Sequence, residues 1–182
     1  MSRFVLAPDE VLDIELNDAS IVSHEAPAVL AQVISFPDVH PAERRVDDSI
    51  KRIGKLEISV PLHNIYLAET DDLVRLLAQD IAEWRHEAER SVNTIAVHAA
   101  HSLAGSSATV GFMPLQEVAH ALERVLQALA RKPVMLAPAE FDALDQAIGH
   151  LKVMLQQFAL GDMPESAPDH VAMLVQMRED LA

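Results

Sequence analysis

Of the nine histidines in this chain of 182 residues, two stand one helical turn apart in the run His98-Ala99-Ala100-His101-Ser102-Leu103-Ala104-Gly105-Ser106-Ser107-Ala108-Thr109-Val110-Gly111-Phe112. At about 100° per residue, Ala96, Ala99, Leu103, Ser106 and Val110 share one side of a helix, which sets His101 roughly opposite them and toward water. Gly105, stacked one turn beyond His101, has no side chain and leaves room for a partner to approach. Glycine costs on the order of 1 kcal/mol in a helix interior relative to alanine, so its presence here favours access over local stability. Two kinds of chemistry fit. A neutral imidazole keeps a nucleophilic lone pair near pH 7 and can accept a phosphoryl group on nitrogen. Alternatively, His98 and His101 at i, i+3 bring two nitrogens toward one metal ion, with His120 or Glu123 as further ligands. Metal sites in helical bundles gather carboxylates and Glu-x-x-His pairs on inward faces, whereas His101 faces outward, so no metal is expected. Ser102, Ser106 and Ser107 read as small residues that permit close helix packing, two of them toward the core, and not as nucleophiles. His24, His40, His63, His86, His150 and His170 read as ordinary surface or satisfied histidines.

The run His101-Ser102-Leu103-Ala104-Gly105-Ser106-Ser107, followed by Gly111-Phe112, resembles the phosphorylatable-histidine motif of histidine phosphotransfer (HPt) domains, His-x-Leu-Lys-Gly-small-small with a late glycine. From about Val60 to Phe158 the order of apolar, Gly and Pro positions is similar to the HPt domain of CheA-type chemotaxis kinases. A finer likeness, carried by Ile53-Gly54-Lys55-Leu56-Glu57-Ile58 leading into Leu62-His63-Asn64-Ile65-Tyr66-Leu67, is to the HPt domains of the large chemosensory hybrid kinases that control type IV pili. The resemblance implies that His101 is the phosphoacceptor. It also implies that Glu123, at the flank of the third helix, fixes the imidazole tautomer, and that His120, one turn before it, matches a histidine of the family's hydrogen-bonded cluster. One position departs from the pattern: the lysine three residues after the histidine is Ala104. About 60° round the helix from His101, this position is expected to be exposed and, with Gly105, to form the surface a partner reaches.

The elements that must position these residues follow from periodicity. Pro61 suits a first helical turn, and Leu62, Ile65, Leu73, Leu76, Leu77, Ile81 and Trp84 follow the 3-4 spacing of one apolar stripe. This helix runs out in the charged stretch 85–90, and Ser91 or Asn93 caps the helix that carries His101, which Gly111 ends. Pro114 opens a third helix with Leu115, Val118, Ala119, Leu122, Val125, Leu126 and Leu129 on its apolar face, closed by Arg131, Lys132 and Pro133. Pro138 opens a fourth, with Phe141, Leu144, Ile148, Leu151, Leu155 and Phe158, ended by Gly161 and Pro164. Trp84 and the leucine stripes read as core. Four amphipathic helices on short connections predict an all-α, up-down-up-down four-helix bundle over residues 56–160, with flexible acidic flanks. Residues 1–55 read as an acidic, proline-containing linker: the first fifty hold ten acidic residues against three arginines, although Val29-Leu30-Ala31-Gln32-Val33-Ile34 has the composition to pair or dock. Residues 161–182 read as a second linker with room for one short helix. Such flanks are expected of a segment cut from between domains of a longer protein.

Composition excludes several partners. A formal charge of −14 argues against recognition of nucleic acid, which needs clustered Lys and Arg. There is no cysteine, hence no disulfide framework or thiolate metal site, which fits a reducing cytoplasm. No apolar run approaches the roughly 20 residues that span a bilayer, and the N-terminus lacks a signal-peptide core, so no membrane association is expected. No Gly-rich phosphate loop, ATP-lid motif or metal-binding acidic triad is present, and no cofactor is expected. The resemblance therefore implies a carrier and not an enzyme: the catalytic domain of a histidine kinase loads it, and the aspartate of a response-regulator receiver domain, with its own Mg²⁺, unloads it. The alternative is an HPt-like helical docking module without phosphotransfer.

Overall fold

The structure is a computed structural model that describes residues 49–87 and 89–181. The linker reading of residues 1–55 falls outside the described residues up to residue 48, as do His24, His40 and the segment 29–34. The elements in order are β1 (Ile50–Ile53), β2 (Leu56–Ser59), α1 (Val60–His86), α2 (Thr94–Val110), α3 (Met113–Arg131), α4 (Pro138–Leu160) and α5 (Pro168–Asp180). Helices α1 to α4 form the expected bundle: α2 packs on α1 and α3, and α4 packs on α1 and α3.

Local chemistry explains each boundary. Ser59 caps α1 by accepting from the Leu62 N–H, with Pro61 in the first turn, where a missing N–H costs nothing. Asn93 caps α2, its Oδ1 accepting from the Ile95 N–H at 3.0 Å. Gly111 and Gly161 end α2 and α4 in the left-handed conformation, at φ +86° and +100°, which a residue with a Cβ adopts only at a cost. A Cβ on Gly111 would also stand 3.1 Å from Leu56 Cδ1, so that turn is close to β2 as well as left-handed.

The α3 and α4 stripes are buried as the periodicity predicts, and Trp84 packs edge-on against Phe141 with ring centroids 5.4 Å apart. In α1 the expected stripe is corrected. Leu62 and Ile65 are 44% and 56% exposed, and the buried face runs His63, Tyr66, Thr70, Val74, Leu77, Ile81 and Trp84. This face has the same 3-4 spacing but includes polar residues whose hydrogen bonds are met inside. Thr70 Oγ1 donates to the Tyr66 carbonyl at 2.7 Å, and the His63 ring stacks on Phe158. Tyr66 and Ser107 share a hydroxyl hydrogen bond of 2.8 Å that ties α1 to α2, and burial pushes the phenol well above its usual range.

Two features lie beyond a plain four-helix bundle. Residues 50–59 form an antiparallel hairpin, Ile53 opposite Leu56, turning at Gly54 with φ +59°. Ile53 and Ile58 are buried, so this stretch is joined to the core. The tail is also more than a linker: α5 packs on α3 and α4, burying Leu174 and Met177. At its start His170 stacks on His150 of α4, with centroids 4.1 Å apart. Desolvation, and then the like charge of His170, lower the His150 pKa from its ordinary value. A histidine with a lowered folded-state pKa contributes stability that is present above its unfolded pKa and is lost as pH falls through the folded value. Acidification from pH 7 to pH 5 is therefore expected to loosen α5 before the bundle, seen as lower amide protection factors, referred to the intrinsic exchange rate at each pH, at Leu174 and Met177. Replacing His150 with glutamine should flatten that dependence.

Candidate functional site

Helix α2 is built to be approached closely. Its buried residues are Ala96, Ala99, Ala100, Leu103, Ala104, Ser107 and Val110, mostly small, so α1 and α3 come near its backbone. Its N-terminus is anchored by charge. The Asp80 side chain, 7% exposed, accepts from Arg90 at 2.7 Å and from the Asn93 amide at 3.2 Å, linking the cap of α2 to α1. This half-buried network joins the start of α2 to α1. Its C-terminus is held by Phe112, which is buried and stacked on Phe158 at 4.4 Å between centroids.

On this scaffold His101 projects outward, its side chain 73% exposed, while its Nδ1 lies 2.9 Å from Oε1 of Glu123 on α3. The Glu123 side chain is only 7% exposed. Its other oxygen, Oε2, is 3.2 Å from Nδ1 of His120, and Oε1 also accepts from the Gln127 amide at 2.7 Å. The three residues singled out from the sequence, His101, His120 and Glu123, thus meet at one carboxylate that spans the α2–α3 seam. A carboxylate accepts, so the neutral His101 ring carries its proton on Nδ1 and keeps the lone pair on Nε2. The same logic places the His120 proton on Nδ1. An imidazole fixed in this tautomer, with its nucleophilic nitrogen toward solvent and a carboxylate behind it, can attack an electrophile brought by another molecule while Glu123 offsets the positive charge the ring gains.

Gly105 is exposed, and a Cβ there would meet nothing within 4 Å. Ala104 is a correction: it is 5% exposed, not part of the open surface. The buried arc of α2 is wider than one stripe because Ala100 and Ala104 are buried as well as Ala96, Ala99, Leu103, Ser107 and Val110, leaving His101 at the border of that arc. Ala104→Lys must therefore thread its stem out of a packed seam before the amine reaches water. The substitution is expected to cost about 1–3 kcal/mol, as overpacking does, measured as a lower thermal midpoint. An amine that emerges about 4 Å from a phosphoryl oxygen interacts with it by about 1 kcal/mol in water and more at the protein surface, so phosphoryl acceptance by the folded variant should be several-fold faster.

His98 is exposed on α2, and among the described residues no group of three or more His, Cys, Asp or Glu side chains could hold a metal ion. No helix among them is long and apolar enough to cross a membrane. The residue that sequence reasoning passed over is Gln127. Its signal is present in the chain, since it lies four residues after Glu123 on the same helix face.

Residues 61–159 match the Hpt domain family. Over 63 residues, 35% of this chain, the sequence is 38% identical to the chemotaxis protein CheA of Bacillus subtilis (strain 168), and the match spans 9% of that protein's length. Among solved structures, the phosphorylated P1 domain of CheA3 from R. sphaeroides, in complex with CheY6, shares the fold with a TM-score of 0.53. That likeness covers 66% of this chain and 95% of that one at 17% sequence identity.

Proposed function

Because this chain belongs to the Hpt domain family, we propose that it carries phosphate in a two-component relay, taking a phosphoryl group on Nε2 of His101 from a histidine kinase catalytic domain and giving it to a receiver-domain aspartate. The observation that carries this reading is the 2.9 Å contact between His101 Nδ1 and a nearly buried Glu123 carboxylate. In the loading step the Nε2 lone pair forms an N–P bond to the γ-phosphorus of ATP held by the kinase, the bond to the bridging oxygen breaks, and ADP leaves. The ring then bears positive charge while Nδ1 keeps its proton, and the hydrogen bond to Glu123, charge-assisted from the carboxylate side already, becomes an ion pair. In the unloading step a receiver carboxylate oxygen forms the O–P bond, the N–P bond breaks, and the lone pair returns to Nε2. The receiver's own Mg²⁺ offsets charge on the transferring group.

Hpt domains are phosphoryl carriers without an ATP site. The kinase partner is inferred to be a separate domain of the same or a larger protein, a reading supported by the match to a short part of a CheA. The complex of a relative's P1 domain with CheY6 supports a receiver as the acceptor. The domain is read as residues 56–160, which takes in β2 and the four bundle helices, with β1 and α5 as close-packed additions. The test is to incubate the chain with ATP and candidate kinase domains, add candidate receivers, and follow the label. Acid-labile, base-stable label that moves to a receiver supports the relay, whereas binding of either partner without label supports the docking module.

A further inference from the structure

We propose that Gln127 is a positioning residue for the phosphoacceptor: its side-chain amide pins the Glu123 carboxylate in the orientation that holds the His101 proton on Nδ1. This rests on His101 being the phosphoacceptor and adds a residue that the histidine motif does not contain. Glu123 is a nearly buried carboxylate whose hydrogen-bond partners are His101 Nδ1, His120 Nδ1 and Gln127 Nε2. The shortest of the three is the Gln127 contact, at 2.7 Å. It falls on Oε1, the same oxygen that receives the His101 proton at 2.9 Å.

Both imidazoles are exposed, His101 at 73% and His120 at 50%, so little packing restrains their side-chain torsions. Neither is a firm anchor for the carboxylate that is meant to orient it. Gln127 is different. It lies on α3 with Glu123 at i, i+4, the spacing at which helix side chains meet, it is half-buried, and its neighbours Val125, Leu126 and Leu129 lie in the core. The pin is therefore internal to one helix and persists whether or not a kinase or receiver is docked on His101. It also supplies a donor to a carboxylate that has no lysine at position 104 beside it. Without Gln127, the carboxylate is held only by two exposed rings, His101 on Oε1 and His120 on Oε2, its terminal torsion is less firmly set, and the Nε2–H tautomer, which has no lone pair on the attacking nitrogen, gains population.

The test uses three chains: wild type, Gln127→Met, which keeps length and helix propensity but loses the donor, and Gln127→Lys, which restores a donor in the favourable Glu-to-Lys i, i+4 order. Two readouts are taken: the tautomer of His101 from ¹⁵N shifts of the imidazole nitrogens at a pH where the ring is neutral, and the rate of phosphoryl acceptance at several kinase-domain concentrations. The expected result for Gln127→Met is a mixed tautomer signature at His101 and a maximal acceptance rate three- to tenfold lower, with the half-saturating kinase concentration unchanged. Gln127→Lys should return both toward wild type. The proposal is overturned if Gln127→Met leaves the tautomer signature as in wild type, or if the lysine variant is as impaired as the methionine one. Failure of the phosphotransfer reading is separable. A wild-type chain that never accepts label would contradict that reading, while the tautomer measurement, which needs no partner, would still decide the role of Gln127.

Discussion

His101→Gln is expected to abolish phosphoryl acceptance while leaving the fold and its stability nearly unchanged. The amide nitrogen of glutamine is delocalised into its carbonyl and offers no lone pair to phosphorus, so no slower residual reaction at that position is available. The same amide can still donate to Glu123, so the carboxylate keeps its partner. With the His101 side chain 73% exposed, little packing is lost, and surface replacements of this kind usually move stability by no more than about 0.5 kcal/mol. Circular dichroism and a thermal melt should overlay those of the wild type. Label at another histidine of the variant, such as His98 or His120, would show that the acceptor had been wrongly placed.

Glu123→Ala is the second large effect, an acceptance rate lower by on the order of tenfold or more, the scale at which partners that orient a functional histidine matter. The variant loses the tautomer bias and the counter-charge to the phosphorylated ring together, so both loading and the lifetime of the phosphorylated form should change. Stability should change less than burial alone suggests. Glu123 is a nearly buried charge whose partners are two imidazoles and an amide, and all three reach solvent once it is gone. Glu123→Gln separates the two contributions: one amide oxygen can still accept from Nδ1, but the counter-charge is absent. An intermediate rate is expected for Glu123→Gln, and a Glu123→Ala rate equal to wild type would reduce Glu123 to a structural carboxylate.

Much of this was legible in the chain. Pro61, Gly111, Pro138 and Gly161 mark helix ends by backbone chemistry that depends on no neighbour, and the α3 and α4 stripes are apolar on one face and polar elsewhere, so periodicity finds them. The first turns of α1 were misread because the buried positions are His63 and Thr70 while the exposed ones are Leu62 and Ile65. Polar side chains satisfied inside the bundle and apolar ones left outside defeat a hydropathy pattern. The hairpin strands are four residues each, too short for alternation to stand out, and α5 buries only Leu174 and Met177 within its length, too few to betray a docked helix. At the site, the motif located His101 and its offset to Glu123 located the carboxylate. The burial of Ala104 and the role of Gln127 depend on how α2 and α3 lean on each other, which no spacing within one helix records.

The central claim, that His101 carries the phosphoryl group, is tested most directly by locating the label on the intact chain. After incubation with ATP and a kinase domain that loads it, the phosphorylated protein should be handled at alkaline pH, where phosphohistidine survives, and mapped by fragmentation and by NMR of the ring nitrogens. The predicted result is one phosphoryl group per chain, on Nε2 of His101, discharged when a receiver domain and Mg²⁺ are added. Phosphate found on His98 or His120, or on the Nδ1 of His101 that Glu123 engages, would contradict the account.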